Sequence, residues 1–291
     1  MANTFNTGVY KEDWEVALQT RLNKPTCWKD VAQVIYSDVQ IINNPYMSTE
    51  FSLQSGTRGT AFSFSDFALT NSTLTINAQD IVPVYVDRAD MAQCSYVGQM
   101  DLAERQGALI DERVEAVMLA THGSWTNVGD PGTGIVSGNA TQITVSATNI
   151  DDIVRAVRRI VIQANGKELA RKNGIFFVWR AADFEYLEAF AQANGFELAD
   201  KALKNGIENA YYFLGAYHYV SNSHTANHVF AGVRKILRIG LLRTTYGKVF
   251  VIEDPANGDG QLSGWGIYSR LDYGTEIPAG LSTVLYDVNV V

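Results

Sequence analysis

The sequence is short of several things, and each shortage excludes a class of protein. Its two cysteines, Cys27 and Cys94, are too few for a disulfide framework. Two free thiols in a reducing compartment is the economical reading, and a single bridge between them stays open at this stage. No run of about 18 uninterrupted apolar residues occurs, so no segment reads as a membrane-spanning helix. The N-terminal residues Met1 to Thr7 show neither a basic stretch nor an apolar one behind it, hence no visible secretory signal. Synthesis and folding in cytoplasm are expected. Positive charge is also scarce: 23 Lys and Arg stand against 31 Asp and Glu, a formal net charge of -8. Duplex affinity comes largely from Lys and Arg neutralising phosphates, so a dedicated nucleic-acid binder is excluded and any DNA contact should be weak and non-specific. Finally, no GxSxG elbow, P-loop or strand-following GxGxxG is present, and no lysine stands between Lys29 and Lys167.

What remains is a chain of 291 residues, 46% hydrophobic and 19% charged, long enough for one large domain or two intimate ones. Near the start, Trp14, Ala17, Leu18 and Leu22 recur at helical spacing until Pro25 stops the segment. A helix this short and unsupported needs a surface to dock on, whether its own core or another chain. From Val39 to Asn77 the composition turns to Ser, Thr, Asn, Phe and Ile. Phe62 and Phe64, then Leu74 and Ile76, alternate with Ser63, Ser65, Thr73 and Thr75, the period of a strand with two unlike faces. Ser55, Gly56, Thr57, Arg58 and Gly59 form a turn signal between two such runs, so a long two-stranded ribbon is expected. An isolated ribbon is marginal in water, and its apolar face must lie on another surface.

Asp87 to Thr121 carries the strongest helical signal, with Met100, Ala103, Gly107, Ile110, Val114 and Val117 on one stripe and Asp87 or Asp90 as candidate caps. About 30 residues would make a rod of roughly 45 Å. Gly98 and Gly107 inside it suggest close approach of another backbone. A second helix is expected from Asn149, whose side chain can cap it, to Asn165-Gly166; a buried strand at 175–179; a helix at 181–193; and C-terminal strands at 248–252, 264–268 and 283–290.

Candidate chemistry is thin. His218, His224 and His228 lie close in sequence and could form a metal-dependent site, but no HExxH accompanies them and surface or intersubunit histidines are the simpler reading. Asp254 to Gly260 lacks oxygen donors where an EF-hand requires them and reads as a turn. Arg234, Lys235, Arg238 and Arg243 read as a solvated or intersubunit face. No catalytic, cofactor-binding or metal residues are assigned, and the protein is not expected to be an enzyme.

In their order, an arm, a polar-aromatic ribbon, a long helix, an α/β unit and closing strands, these parts resemble the major capsid proteins of tailed double-stranded DNA phages, with the fold named after phage Hong Kong 97. Residues 87–93, DRADMAQ, and 101–111, DLAERQGALID, carry the resemblance, being similar to the family's spine helix. It implies an α+β fold with an N-arm at 1–36, an extended β-ribbon loop (E-loop) at 37–79, a peripheral (P) domain at 80–145 and 230–291 that contains the spine helix, and an α/β axial (A) domain at 146–229. It also implies a structural role: self-assembly into hexamers and pentamers of an icosahedral shell in the virion, built in the bacterial host cytoplasm around packaged DNA. Intersubunit contacts would come from Trp14, Leu18 and Leu22 of the arm and from the E-loop tip, Ser55 to Gly59. Expected partners are further copies of the chain, a portal and a separate scaffolding protein, with a cement or decoration protein possible and no membrane. No cofactor is expected. The missing lysines exclude E-loop isopeptide cross-links of the Lys-to-Asn kind. A cellular encapsulin-like compartment is the alternative within the same fold.

Overall fold

Five consecutive apolar residues, Ile175 to Trp179, can be satisfied only by a strand covered on both faces, and all five are buried. The structure, a computed structural model, describes residues 26–47, 53–56, 58–59, 64, 66, 68–88, 99–131, 142–194, 211–223, 227–257, 260–261 and 263–291. Within them the chain runs α1 (Trp28–Val31), β1 (Gln33–Ser37), β2 (Ile41–Met47), β3 (Leu69–Thr75), β4 (Ala78–Asp87), α2 (Gln99–Ala120), β5 (Asn127–Val128), α3 (Ile150–Gln163), α4 (Lys167–Asn173), β6 (Ile175–Trp179), α5 (Ala181–Ala193) and β7 (Tyr211–Phe213). It continues through β8 (Ala216–Val220), β9 (His228–Val233), β10 (Arg238–Leu242), β11 (Val249–Glu253), the two-residue pair β12 (Ala256–Asn257) and β13 (Gly260–Gln261), β14 (Gly264–Glu276) and β15 (Leu285–Asn289). This is a mixed α+β architecture.

Two sheets organise it. The six-stranded sheet has the order β5-β15-β9-β6-β8-β7, with β6 central. On it lies α3, whose buried stripe Ile150, Ile153, Val154, Val157, Ile160 and Val161 repeats at three- and four-residue steps. Asn149 stands at the expected N-cap, yet its side chain makes no capping bond; Oδ1 accepts from Ser146 N and Nδ2 donates to Thr144 O, closing the preceding loop instead. The helix α5 turns Phe184, Leu187 and Ala191 inward. The second sheet has the order β1-β10-β14-β11, with the whole of β4 antiparallel to residues 264–273 of β14. Helix α2 covers one of its faces, and Gln106 fixes the contact: Nε2 donates to Val82 O and Ile267 O, and Oε1 accepts from Ser269. One continuous apolar core joins both sheets, with Trp28, Met118, Phe176, Trp179 and Tyr286 fully buried in it.

Several expectations are corrected. Asp87 ends the strand at 78–87, which alternates half-buried and exposed, and Arg88 is helical; residues 89–98 lie outside the described residues, and α2 as described from Gln99 spans about 33 Å over 22 residues. Gly107 faces solvent with nothing within 4 Å of an added Cβ, so among the described residues no backbone approaches there; Gly98 lies outside the described residues. Residue 230 lies within β9, and β15 sits between β5 and β9. The expected strand at 264–268 continues to Glu276.

Candidate assembly surface

The ribbon is present: β2 and β3 pair antiparallel from Ile41↔Thr75 to Met47↔Leu69. Burial along it is graded. At its root Leu74 and Ile76 are buried, while Leu69, Thr70 and Asn71 at the far end are exposed in succession, so among the described residues neither face of that end is covered. Met47 and Leu69, directly opposite each other, keep 48% and 66% of their surface in solvent, and Ile41 on the same face keeps 57%. Of the turn residues, Ser55, Gly56, Arg58 and Gly59 are exposed, Gly59 taking φ +88°; Thr57 lies outside the described residues. Phe64 is exposed and outside any strand, and Phe62 is not described.

The root crosses the second sheet where two glycines are register partners, Gly240 on β10 and Gly274 on β14. A Cβ at Gly274 would overlap the carbonyl of Thr75, and one at Gly240 would lie 2.9 Å from Leu74 Cδ2. The absent side chains make the seat for β3, and Ser72 Oγ donates to Glu276 beside it. Arg238 pairs with the same carboxylate at 3.6 Å.

A second surface is the face of the β4-β14-β11 layer that α2 does not cover. Ile81, Pro83, Tyr85 and Ile252 are exposed there, with Phe250 and Tyr268 stacked between them at 5.2 Å. Together with the ribbon this is an extended apolar-aromatic surface on a chain whose interior is otherwise well filled.

The arm expectation rested on Trp14, Leu18 and Leu22, all outside the described residues. What the structure describes is the arm's base. Trp28 is wholly buried, edge-on to Tyr246, and β1 lies parallel to β10. Glu115 of α2, itself buried, accepts from the backbone N–H of Cys27 and of Trp28 through Oε2 and from Ser221 through Oε1. Burial pushes its carboxyl above the usual range, while those three donors act in the opposite direction. Lys235, at φ 63°, donates to Lys29 O and Ala32 O at the end of α1. Arg234 donates to Asp30 O and lies over the Tyr217 ring, and Arg243 pairs with Asp38. Arg234 and Lys235 thus hold the arm's base, Arg238 stands at the ribbon root, and Arg243 keeps a solvated side chain beside Asp38. Cys27 is a buried free thiol, and Cys94 is not described. The sequence signal for this anchor was Trp28 itself, a large aromatic just past the helix-stopping Pro25.

The histidine grouping is taken apart. His218 is fully buried: Trp179 Nε1 donates to its Nδ1 at 3.0 Å, and its Nε2 bonds the Phe213 carbonyl at 3.0 Å, so neither nitrogen is free for a metal. Burial lowers its pKa to about 4. His224 lies outside the described residues. His228 faces Asp287 on β15. An open groove of about 650 Å³ between the end of α2 and residues 275–282 is lined by Val117, Thr121, Ser124, Glu276, Pro278 and Ser282, with no nucleophile and base paired in it. The turn at 254–261 is the hairpin of β12 and β13, and Asp254 accepts from Gly264 N. Among the described residues no helix is long and apolar enough to cross a membrane.

No protein-family model and no curated relative matches the sequence. Solved structures do match along almost the entire chain. A structure from Mycobacterium phage Che8 superposes with a TM-score of 0.69 at 14% identity, covering 97% of this chain and 98% of that one. The capsid of an empty GTA particle gives 0.68 at 12% identity, over 98% and 96%. The capsid of cyanophage P-SCSP1u gives 0.60 at 11% identity, over 100% and 97%. The fold is that of phage-type capsid subunits, reached through a sequence that has kept little of theirs.

Proposed function

We propose that the chain is a phage major capsid protein whose work is to form the shell of the virion. The observation that carries this reading is the ribbon, an element whose far end is exposed on both faces and whose root is seated on a dedicated pair of glycines. A subunit that never met a copy of itself would gain nothing from it. The apolar-aromatic face of the β4-β14-β11 layer supports the same conclusion. In this reading α2 is the spine helix, residues 37–79 are the E-loop, residues 1–36 the N-arm, and the ribbon lies on a neighbouring subunit within hexamers and pentamers of an icosahedral shell. The A-domain core is 146–229; strands β9 and β15 belong to its sheet. A separate scaffolding protein and a portal complete assembly, which takes place in the bacterial cytoplasm. The role is structural and not enzymatic. A net charge of -8 on each subunit gives a wall that repels packaged double-stranded DNA, which suits a container better than a binder.

Electron microscopy of the purified protein, alone and with a co-expressed scaffold, tests the proposal. Closed shells or capsomers are expected. A monomer at every concentration, with no partner able to assemble it, overturns the reading; shells filled with a cargo protein in place of DNA convert it to a cellular compartment.

A further inference from the structure

A second cluster of ligating side chains is assembled by the fold from three places far apart in sequence. His122 stands in the single 3-10 turn that follows α2, His228 opens β9, and Asp287 lies in β15. Asp287 is register partner of Phe230, two residues on from His228, so His228 is its diagonal neighbour across the strands. His122 Nδ1 lies 2.9 Å from Asp287 Oδ2, and His228 Nδ1 lies 2.8 Å from Asp287 Oδ1. One ligating atom from each of the three falls within 4.8 Å of the others.

Two features make this more than a polar contact. The Asp287 side chain is 2% exposed, and among the described residues its ion-pair partners are these two histidines, with no Lys or Arg. A buried carboxylate needs a compensating positive charge, and a cation seated between the two rings and Asp287 supplies it. The rings are also held in place. Phe230 stacks parallel to His228 at 6.0 Å and tilts against His122 at 5.2 Å, Trp125 backs Phe230 at 5.5 Å, and Gly129 N donates to Asp287 O at 2.9 Å. About a fifth of each histidine side chain reaches solvent, which leaves an entry path.

We propose that His122, His228 and Asp287 form a site for a divalent transition cation of the zinc class. Two imidazoles and a carboxylate are a three-ligand set that leaves a fourth position for water. Zinc at roughly 2.0–2.1 Å from each donor sets tetrahedral donors about 3.3 Å apart, so the two nitrogen–carboxylate contacts at 2.9 and 2.8 Å open by about half an ångström while the widest separation in the group, within 4.8 Å, closes toward the same value. On binding, each ring offers the Nδ1 lone pair to the metal and keeps one proton on Nε2, any further proton leaving to solvent. The cation would tie the C-terminal turn of α2 to two strands of the six-stranded sheet. This site is distinct from the His218, His224 and His228 grouping, since it uses only one of those residues.

The test uses full-length protein freed of metal with EDTA and titrated with zinc chloride by calorimetry, with cobalt chloride as a spectroscopic probe. One zinc per chain, a raised melting temperature and visible cobalt absorption of tetrahedral character are expected. His122→Ala, at a partly exposed turn, should keep the far-ultraviolet circular dichroism spectrum and weaken zinc binding more than about 100-fold, beyond what partners outside the ligand set command. His228→Gln serves as the second variant. Absence of zinc binding by the wild type, or equal binding in both variants, overturns the proposal.

Discussion

The strand β6 and the ribbon β2–β3 are opposite uses of the same secondary structure. All five residues of β6 are apolar and buried, with Phe177 stacked on Trp179 at 5.4 Å and His218 stacked on Phe177 at the same distance. The ribbon carries Asn, Ser and Thr on both faces and keeps Met47 and Leu69 in solvent. The first region is specified by its own chain. The second has strand geometry with no cover among the described residues at its far end. Under the proposed function, stability and assembly are written in different parts of the molecule, and substitutions can separate them.

The largest effect is expected in the core. Phe176→Ala, at a fully buried position, should cost roughly 3–5 kcal/mol of subunit stability in denaturant unfolding, enough to threaten folding outright. A loss below 1 kcal/mol would mean that β6 is not the centre of the fold. Next is the pH response of the same region. His218 is held neutral with a pKa of about 4, whereas the unfolded ring takes a proton below about 6.5. Between those values the unfolded state binds more protons, so stability falls as pH drops from 6.5 to 4, by on the order of 3 kcal/mol. His218→Gln, neutral at every pH, should flatten that part of a melting-temperature profile; an unchanged slope would place the sensitivity elsewhere.

At the junction of the two regions the effect is intermediate. Gly274→Val should cost about 1–3 kcal/mol, because the added carbons meet the Thr75 backbone. It should also displace the ribbon root, read as faster proteolysis between residues 41 and 75. The smallest effect on the subunit and the greatest on the shell should come from Leu69→Ser. Surface changes of this kind fall within about 0.5 kcal/mol, so the subunit's melting should not move while particle yield by electron microscopy collapses. Normal shells from this variant would show that the exposed face of the ribbon is not covered by a neighbour.

The legible parts of the fold were those whose information is local. The helix at 150–163, the strand at 175–179 and the helix at 181–193 follow directly from periodicity, because each has one unambiguous apolar face. The strand at 78–87 was concealed by the helical pattern after it, and Asp87 suits a helix cap as well as a strand end. Gly107 misled for a different reason. A helical glycine signals close approach only if a neighbour is there, and at the ribbon root the approaches are at Gly240 and Gly274, where nothing in the local sequence names Leu74 and Thr75 as the visitors. The arm's buried base was marked by Trp28 but not its acceptor, since Glu115 is 87 residues away. The likeness of His218 and His228 in sequence hid opposite fates, one sealed against Trp179 and the other paired with a carboxylate 59 residues on.

The placement of β15 has a consequence in time. Its backbone lies between β5 and β9, so the six-stranded sheet cannot close until the ribosome has passed residue 289 and released enough chain to reach back. A chain without residues 285–289 lacks the strand that joins residues 127–128 to residues 228–233. Closure of this sheet is therefore a late step of folding, because it waits on pairings between segments far apart in sequence.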